Sequence, residues 1–180
     1  MVPSIFNVAL RGVQALFGII ILGLSVTLIH GHHWGSLPAG LGYGAFVGGL
    51  SFVAAFIGLA ATRFDSLGGM FGFVIDSVIA LINLAGGVLY AFNLRGVDCK
   101  MRAEDPSNVE KMIDNEWLNG GCREYKFCWN GFKYGDESKA IAVYEGHCKE
   151  AKADSVFMFL TAIVMLVCAL LVWLRMRRGY

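Results

Sequence analysis

The chain alternates between long apolar runs and polar breaks of very unequal length. Apolar positions dominate from about Ile5 to Ile29, Leu41 to Thr62, Met70 to Leu94 and Ser155 to Leu174. A helix rising ~1.5 Å per residue needs about 20 residues to cross a hydrocarbon core of ~30 Å, so each run is long enough to span. Two breaks are short, His30–Gly40 and Arg63–Gly69, and the third, Arg95–Lys152, is long and charged. The pattern predicts an all-α membrane protein. The expected architecture is a four-transmembrane-helix bundle with a disulfide-stabilised extracellular loop between helices 3 and 4. Residues 1–94 hold helices 1–3, 95–153 the outer loop, and 154–180 the fourth helix with a basic tail. The first run competes with a cleaved signal peptide. No Lys or Arg precedes Arg11, the apolar part is too long and no A-x-A-like site follows, so a retained helix is expected.

Composition sharpens this picture. The hydrophobic set makes up 56% of the 180 residues and charged residues only 16%, which places the chain among membrane proteins. Of the 29 acidic and basic residues, 21 lie between Arg95 and Lys152. A net charge of +1 supplies no field that would recruit nucleic acid. Arg175, Arg177 and Arg178 follow the fourth run, Arg63 lies in the second break, and the first break has no Lys or Arg. Basic residues in short flanks stay cytoplasmic. Both termini are therefore expected in the cytoplasm, with the His30–Gly40 and Arg95–Lys152 segments facing outside or a lumen.

Four of the five cysteines, Cys99, Cys122, Cys128 and Cys148, fall in that long segment. An oxidising compartment and an even count point to two disulfides, with three connectivities available. Cys99 follows the third span and Cys148 precedes the fourth, so Cys99–Cys148 would clamp the loop base and Cys122–Cys128 would close an inner ring. A zinc site is the rival, but no C-x-x-C pair occurs. Pro106-Ser107-Asn108 can start a short helix in which Val109, Met112, Ile113 and Trp117 recur at helical spacing. The next stretch alternates Tyr125, Phe127 and Trp129 with polar residues and contains Asn130-Gly131, which suits a hairpin. Those aromatics form either a partner-binding face or a surface against the helix or the membrane interface.

Ionisable groups inside a span are costly and are paired or functional by default. Arg11 and Asp76 lie at similar depth in parallel spans and are expected to pair directly or through water. The alternative is a proton or cation site at Asp76. Asn83 and Asn93 are expected to bond across helices. Gly44 and Gly48 continue a small-residue stripe that begins at Gly40, and such stripes let helix backbones approach, within a bundle or between copies. Gly86 and Gly87 form a second such surface. His30, His32 and His33 could bind a metal or sense pH, but without a carboxylate partner they read as solvated loop residues. Cys168 reads as a small packing residue. No nucleophile–base pair, phosphate loop or metal-protease spacing occurs, so neither enzyme activity, a metal nor a cofactor is expected.

The segments ALRGVQALFGIIILGLS (Ala9–Ser25), DSVIALINLAGGVLYAFNLRGVDC (Asp76–Cys99) and EGHCKEAKADSVFMF (Glu145–Phe159) resemble the MARVEL-domain family, especially its fungal four-span members. The resemblance covers the spans, about two thirds of the chain, and marks Arg11, Asp76, Gly86, Gly87, Cys99 and Cys148 as structurally important. It implies organisation of membrane subdomains, protein or lipid sorting and vesicle trafficking, without catalysis, at the plasma membrane or in the secretory pathway. Membrane lipids and other membrane proteins, a second copy included, are the implied partners. The enlarged loop with its extra cysteine pair departs from that pattern and suggests added recognition. Tetraspanins fit less well, since their Cys-Cys-Gly motif is missing, and claudins carry the large loop after the first span. Two further readings stand beside the scaffold: a small channel or transporter subunit working through Asp76, and a cell-surface recognition protein acting through the loop.

Overall fold

Four helices carry the apolar runs and enclose two buried clusters. A computed structural model describes residues 4–61, 70–123, 127–134 and 136–177. The elements in chain order are α1 (Ser4–Gly31), α2 (Ala39–Ala61), α3 (Met70–Asn93), α4 (Pro106–Asp114), β1 (Cys122–Arg123), β2 (Phe127–Cys128), α5 (Trp129–Tyr134) and α6 (Glu137–Arg177). Helices α1, α2, α3 and α6 are each long and apolar enough to cross a membrane. The expected break Arg63–Gly69, together with Arg178 and Tyr125, lies outside the described residues.

In the bundle α1 packs chiefly on α2 and α3 on α6, with α1 also against α6 and α2 against α3. Large apolar side chains point outward along all four helices, among them Leu16, Phe46, Leu81 and Ile163. Such outward faces are stable in hydrocarbon, where hydrophobicity does not drive helices together and close packing must do so. Glycines permit that packing. A β-carbon on Gly48 would strike the Leu22 backbone, and one on Gly18 would come within 2.7 Å of the Phe52 nitrogen, so α1 and α2 cross in contact. Gly44 sits against Tyr90 and Ser25. Gly86 faces Met158 and Tyr43, and Gly87 the Phe159 ring, seating α3 on α6.

The loop differs from the sequence expectation in three places. Trp117 is not on the short helix: α4 stops at Asp114, Asn115 turns extended, and its Oδ1 accepts the Trp117 amide at 2.9 Å. Trp117 is thereby released to pack on Tyr90 with ring centroids 4.6 Å apart. Asn130-Gly131 is not a hairpin turn but lies within α5, where the buried Asn130 Nδ2 donates to the Leu118 carbonyl at 2.7 Å. The strand pairing is confined to Cys122 opposite Cys128 and Arg123 opposite Phe127. Finally, α6 has 41 residues, so at ~1.5 Å per residue it is about twice as long as a hydrocarbon core is thick. It starts well before Ser155 and places Cys148 within the helix, not ahead of it. Alanines and charged residues with good helix propensity carry it through the polar stretch Lys139–Asp154 without a Pro.

Candidate functional site

Three arrangements collect the chemistry-bearing residues: a buried ion pair, a buried acid with no cation against it among the described residues, and a cap over one end of the bundle.

The ion pair joins α1 to α3. Arg11 Nη1 donates to Asp76 Oδ1 at 2.8 Å and Nη2 to Oδ2 at 2.6 Å, and both residues are buried. This two-pronged geometry uses the planar guanidinium fork and is the strongest form of such a bond. Arg11 Nη1 also donates to Gln14 Oε1 at 2.9 Å, and Gln14 Nε2 passes the chain on to the Ser51 carbonyl at 3.0 Å. Asn83 Nδ2 donates to Ser51 Oγ at 2.8 Å, so α1, α2 and α3 share one polar network. Gly58 leaves room for the Arg11 side chain, since a β-carbon there would overlap the guanidinium. Asn93, by contrast, bonds outside the bundle, receiving two bonds from Asn115 Nδ2.

The second centre is one the sequence reading passed over. Asp154 lies one residue before the expected start of the fourth span and is fully buried. Ser25 Oγ donates to Asp154 Oδ2 at 2.6 Å, and the Tyr90 hydroxyl lies 3.3 Å from that same Ser25 oxygen. Asp154 Oδ1 accepts no hydrogen bond among the described residues. The cluster ties α1, α3 and α6 together over Gly44 of α2. The signal available in sequence was the apolar face of a helix running on past Asp154 toward Cys148.

The cap is held by disulfides Cys99–Cys148 and Cys122–Cys128, and Cys168 is the free, buried cysteine. Asn108 threads the chain after α3, accepting from the Asp98 amide at 2.8 Å and donating to the carbonyls of Asp98 and Lys100 at 2.9 and 3.0 Å. The exposed Asp105 carboxylate caps α4 by accepting from the Ser107 hydroxyl and the Asn108 amide, and those bonds hold its pKa below the ordinary value. Lys152 Nζ donates to the Val97 carbonyl at 2.7 Å, fixing α6 to the same segment.

The α1–α2 connection joins this cap. The amides of His33 and Trp34 both donate to the Gly120 carbonyl, at 2.8 and 3.2 Å. Gly120 and Gly121 have φ of +75° and +87°, and a β-carbon on Gly121 would overlap the Trp34 carbonyl. Only glycine combines that conformation with that approach. Trp129 stacks at an angle on His33 and Trp34, leaving it half-buried, whereas Phe127 is 63% exposed. The histidines are dispersed: His32 Nε2 bonds the Ser36 carbonyl at 3.2 Å and His33 packs on Trp129. His147 instead closes the cap from α6, its ring against Gly31 and Nδ1 3.3 Å from the Leu118 carbonyl.

A bundle of four membrane-length helices, locked by buried polar contacts and closed at one end by a disulfide-held cap, defines a multi-pass membrane protein. The family model described as the membrane-associating domain MARVEL matches residues 4–171. The chain belongs to the MARVEL family. No curated protein and no solved structure matches it.

Proposed function

We propose that this protein is a non-enzymatic membrane scaffold that organises membrane subdomains and takes part in protein and lipid sorting or vesicle trafficking. The observation that carries the reading is the membrane-associating family match across nearly the whole chain. The bundle's outward faces are broad and apolar while its interior is fixed by the Arg11–Asp76 pair, an arrangement suited to presenting a constant surface to lipid and neighbouring helices. Both Asp76 oxygens are occupied by Arg11, so the transporter alternative gains no free carboxylate there.

The cap lies outside the cytoplasm and both termini inside it, at the plasma membrane or along the secretory pathway. Arg175 and Arg177 end α6 on the side opposite the disulfides, in keeping with the positive-inside rule and an oxidising compartment. Gly44, Gly48, Gly86 and Gly87 serve packing within one chain, and the cap adds recognition to the family's organising role.

Tagging the full chain, imaging its distribution and co-purifying its partners tests the reading. Concentration in membrane patches together with other membrane proteins supports it. An even distribution with ion flux in proteoliposomes, abolished by Asp76→Asn, would replace it with the transporter.

A further inference from the structure

A shallow groove of about 640 Å³ on the cap is lined by Trp34, Arg123, Phe127 and Phe132. Phe127 and Phe132 are 63% and 65% exposed beside the Cys122–Cys128 disulfide. The groove is not a free-floating loop tip. Phe132 packs on Trp34 at 5.4 Å, Trp129 packs on Trp34 at 5.2 Å, and the Arg123 guanidinium lies 5.0 Å over the Trp34 ring. Lys133 lies 5.8 Å over Trp129.

Trp34 fixes the height of this patch. It sits in the short connection 32–38 between two membrane-length helices, α1 ending at Gly31 and α2 beginning at Ala39. So short a link keeps Trp34 close to the headgroup layer, which extends roughly 5–7 Å beyond the hydrocarbon core on each side. Everything stacked on Trp34 is held near that level.

The chemistry matches that layer. Tryptophan and other aromatics settle where one edge is apolar and the other wet, and Arg and Lys bury their stems while reaching phosphate. Among the described residues neither Arg123 nor Lys133 has an acidic partner, and both side chains carry positive charge beside the aromatic rings. The geometry points to a lipid-docking surface: Phe127 and Phe132 enter the headgroup region of the cap-side leaflet while Arg123 and Lys133 bind phospholipid phosphates. This surface stands on the four-span fold alone and does not depend on the organising role.

The test places a nitroxide at Phe132→Cys in the full chain carrying Cys168→Ala, in nanodiscs of phosphatidylcholine with and without phosphatidylglycerol. Labels at Ser138→Cys and Leu81→Cys calibrate water and lipid. The expected result is collision with dissolved oxygen over a water-soluble nickel chelate at a level between the two references. The anionic lipid shifts it further toward Leu81, and Arg123→Glu with Lys133→Glu shifts it back toward Ser138. A Phe132 label as wet as Ser138 in both lipids would overturn the proposal, and so would shielding from both reagents, which would mean a protein covers the patch. Phe132→Trp adds no new thiol, and its fluorescence should be quenched by brominated lipid beyond that of the parent chain. Quenching equal to the parent's counts against the proposal.

Discussion

Arg11 and Asp76, 65 positions apart, meet through two parallel hydrogen bonds of 2.8 and 2.6 Å inside the bundle. Removing one partner leaves the other charge buried and alone. Asp76→Leu or Arg11→Met should each cost roughly 3–5 kcal/mol, while the double change restores much of the loss, because a buried pair is replaceable by apolar packing. Thermal unfolding in detergent measures this. Equal losses that simply add would show the two residues act separately.

The glycines divide by what they face. Gly48→Leu must push α1 away and should destabilise by about 1–3 kcal/mol or prevent assembly. Gly49→Leu, next to it but with open space at its β-position, should leave stability within about 0.5 kcal/mol. Comparing melting temperatures of the two variants reads the α1–α2 contact directly.

The disulfides close loops of different length. Cys99–Cys148 spans 49 positions and Cys122–Cys128 spans 6. In the chain-entropy model these are worth about 4 and about 2 kcal/mol. Paired serine replacement at Cys99 and Cys148 should therefore open the whole cap to protease. The same change at Cys122 and Cys128 should expose only the aromatic stretch around Phe127. Mapping cleavage sites separates the two outcomes.

Ser25 donates the 2.6 Å bond to the buried Asp154 carboxyl. Ser25→Ala should cost roughly 1–3 kcal/mol, the penalty for stranding a buried polar group. Ser25→Ala combined with Asp154→Leu should lose less than the two single changes summed. Additive losses in thermal unfolding would separate the two residues.

What the sequence made legible follows from the length scale of each signal. Runs of twenty or more residues, almost all apolar, carry the plainest signal, and Arg11 and Asp76 stand out because nothing else in the first and third runs is charged. Asp154 was hidden by its neighbours: coming straight after Lys152 and Ala153, it looks like the end of the polar loop. Only the continuation of α6 through Cys148 turns it inward toward Ser25. Trp117 and Asn130 were misplaced for a similar reason. Their positions are set by single side-chain bonds, from Asn115 and to Leu118, that no periodicity announces. The docking of Trp34 on Gly120 joins residues far apart in the chain and leaves only a pair of adjacent glycines as its trace.

The organising role proposed for this chain has a direct physical consequence for the lipid around it. The lateral distribution of the labelled chain in giant vesicles of mixed phospholipid and sterol measures it. An organising protein is expected to form clusters whose surrounding lipid differs in composition from the rest of the vesicle. A uniform protein distribution with lipid unchanged around it would rule the organising role out.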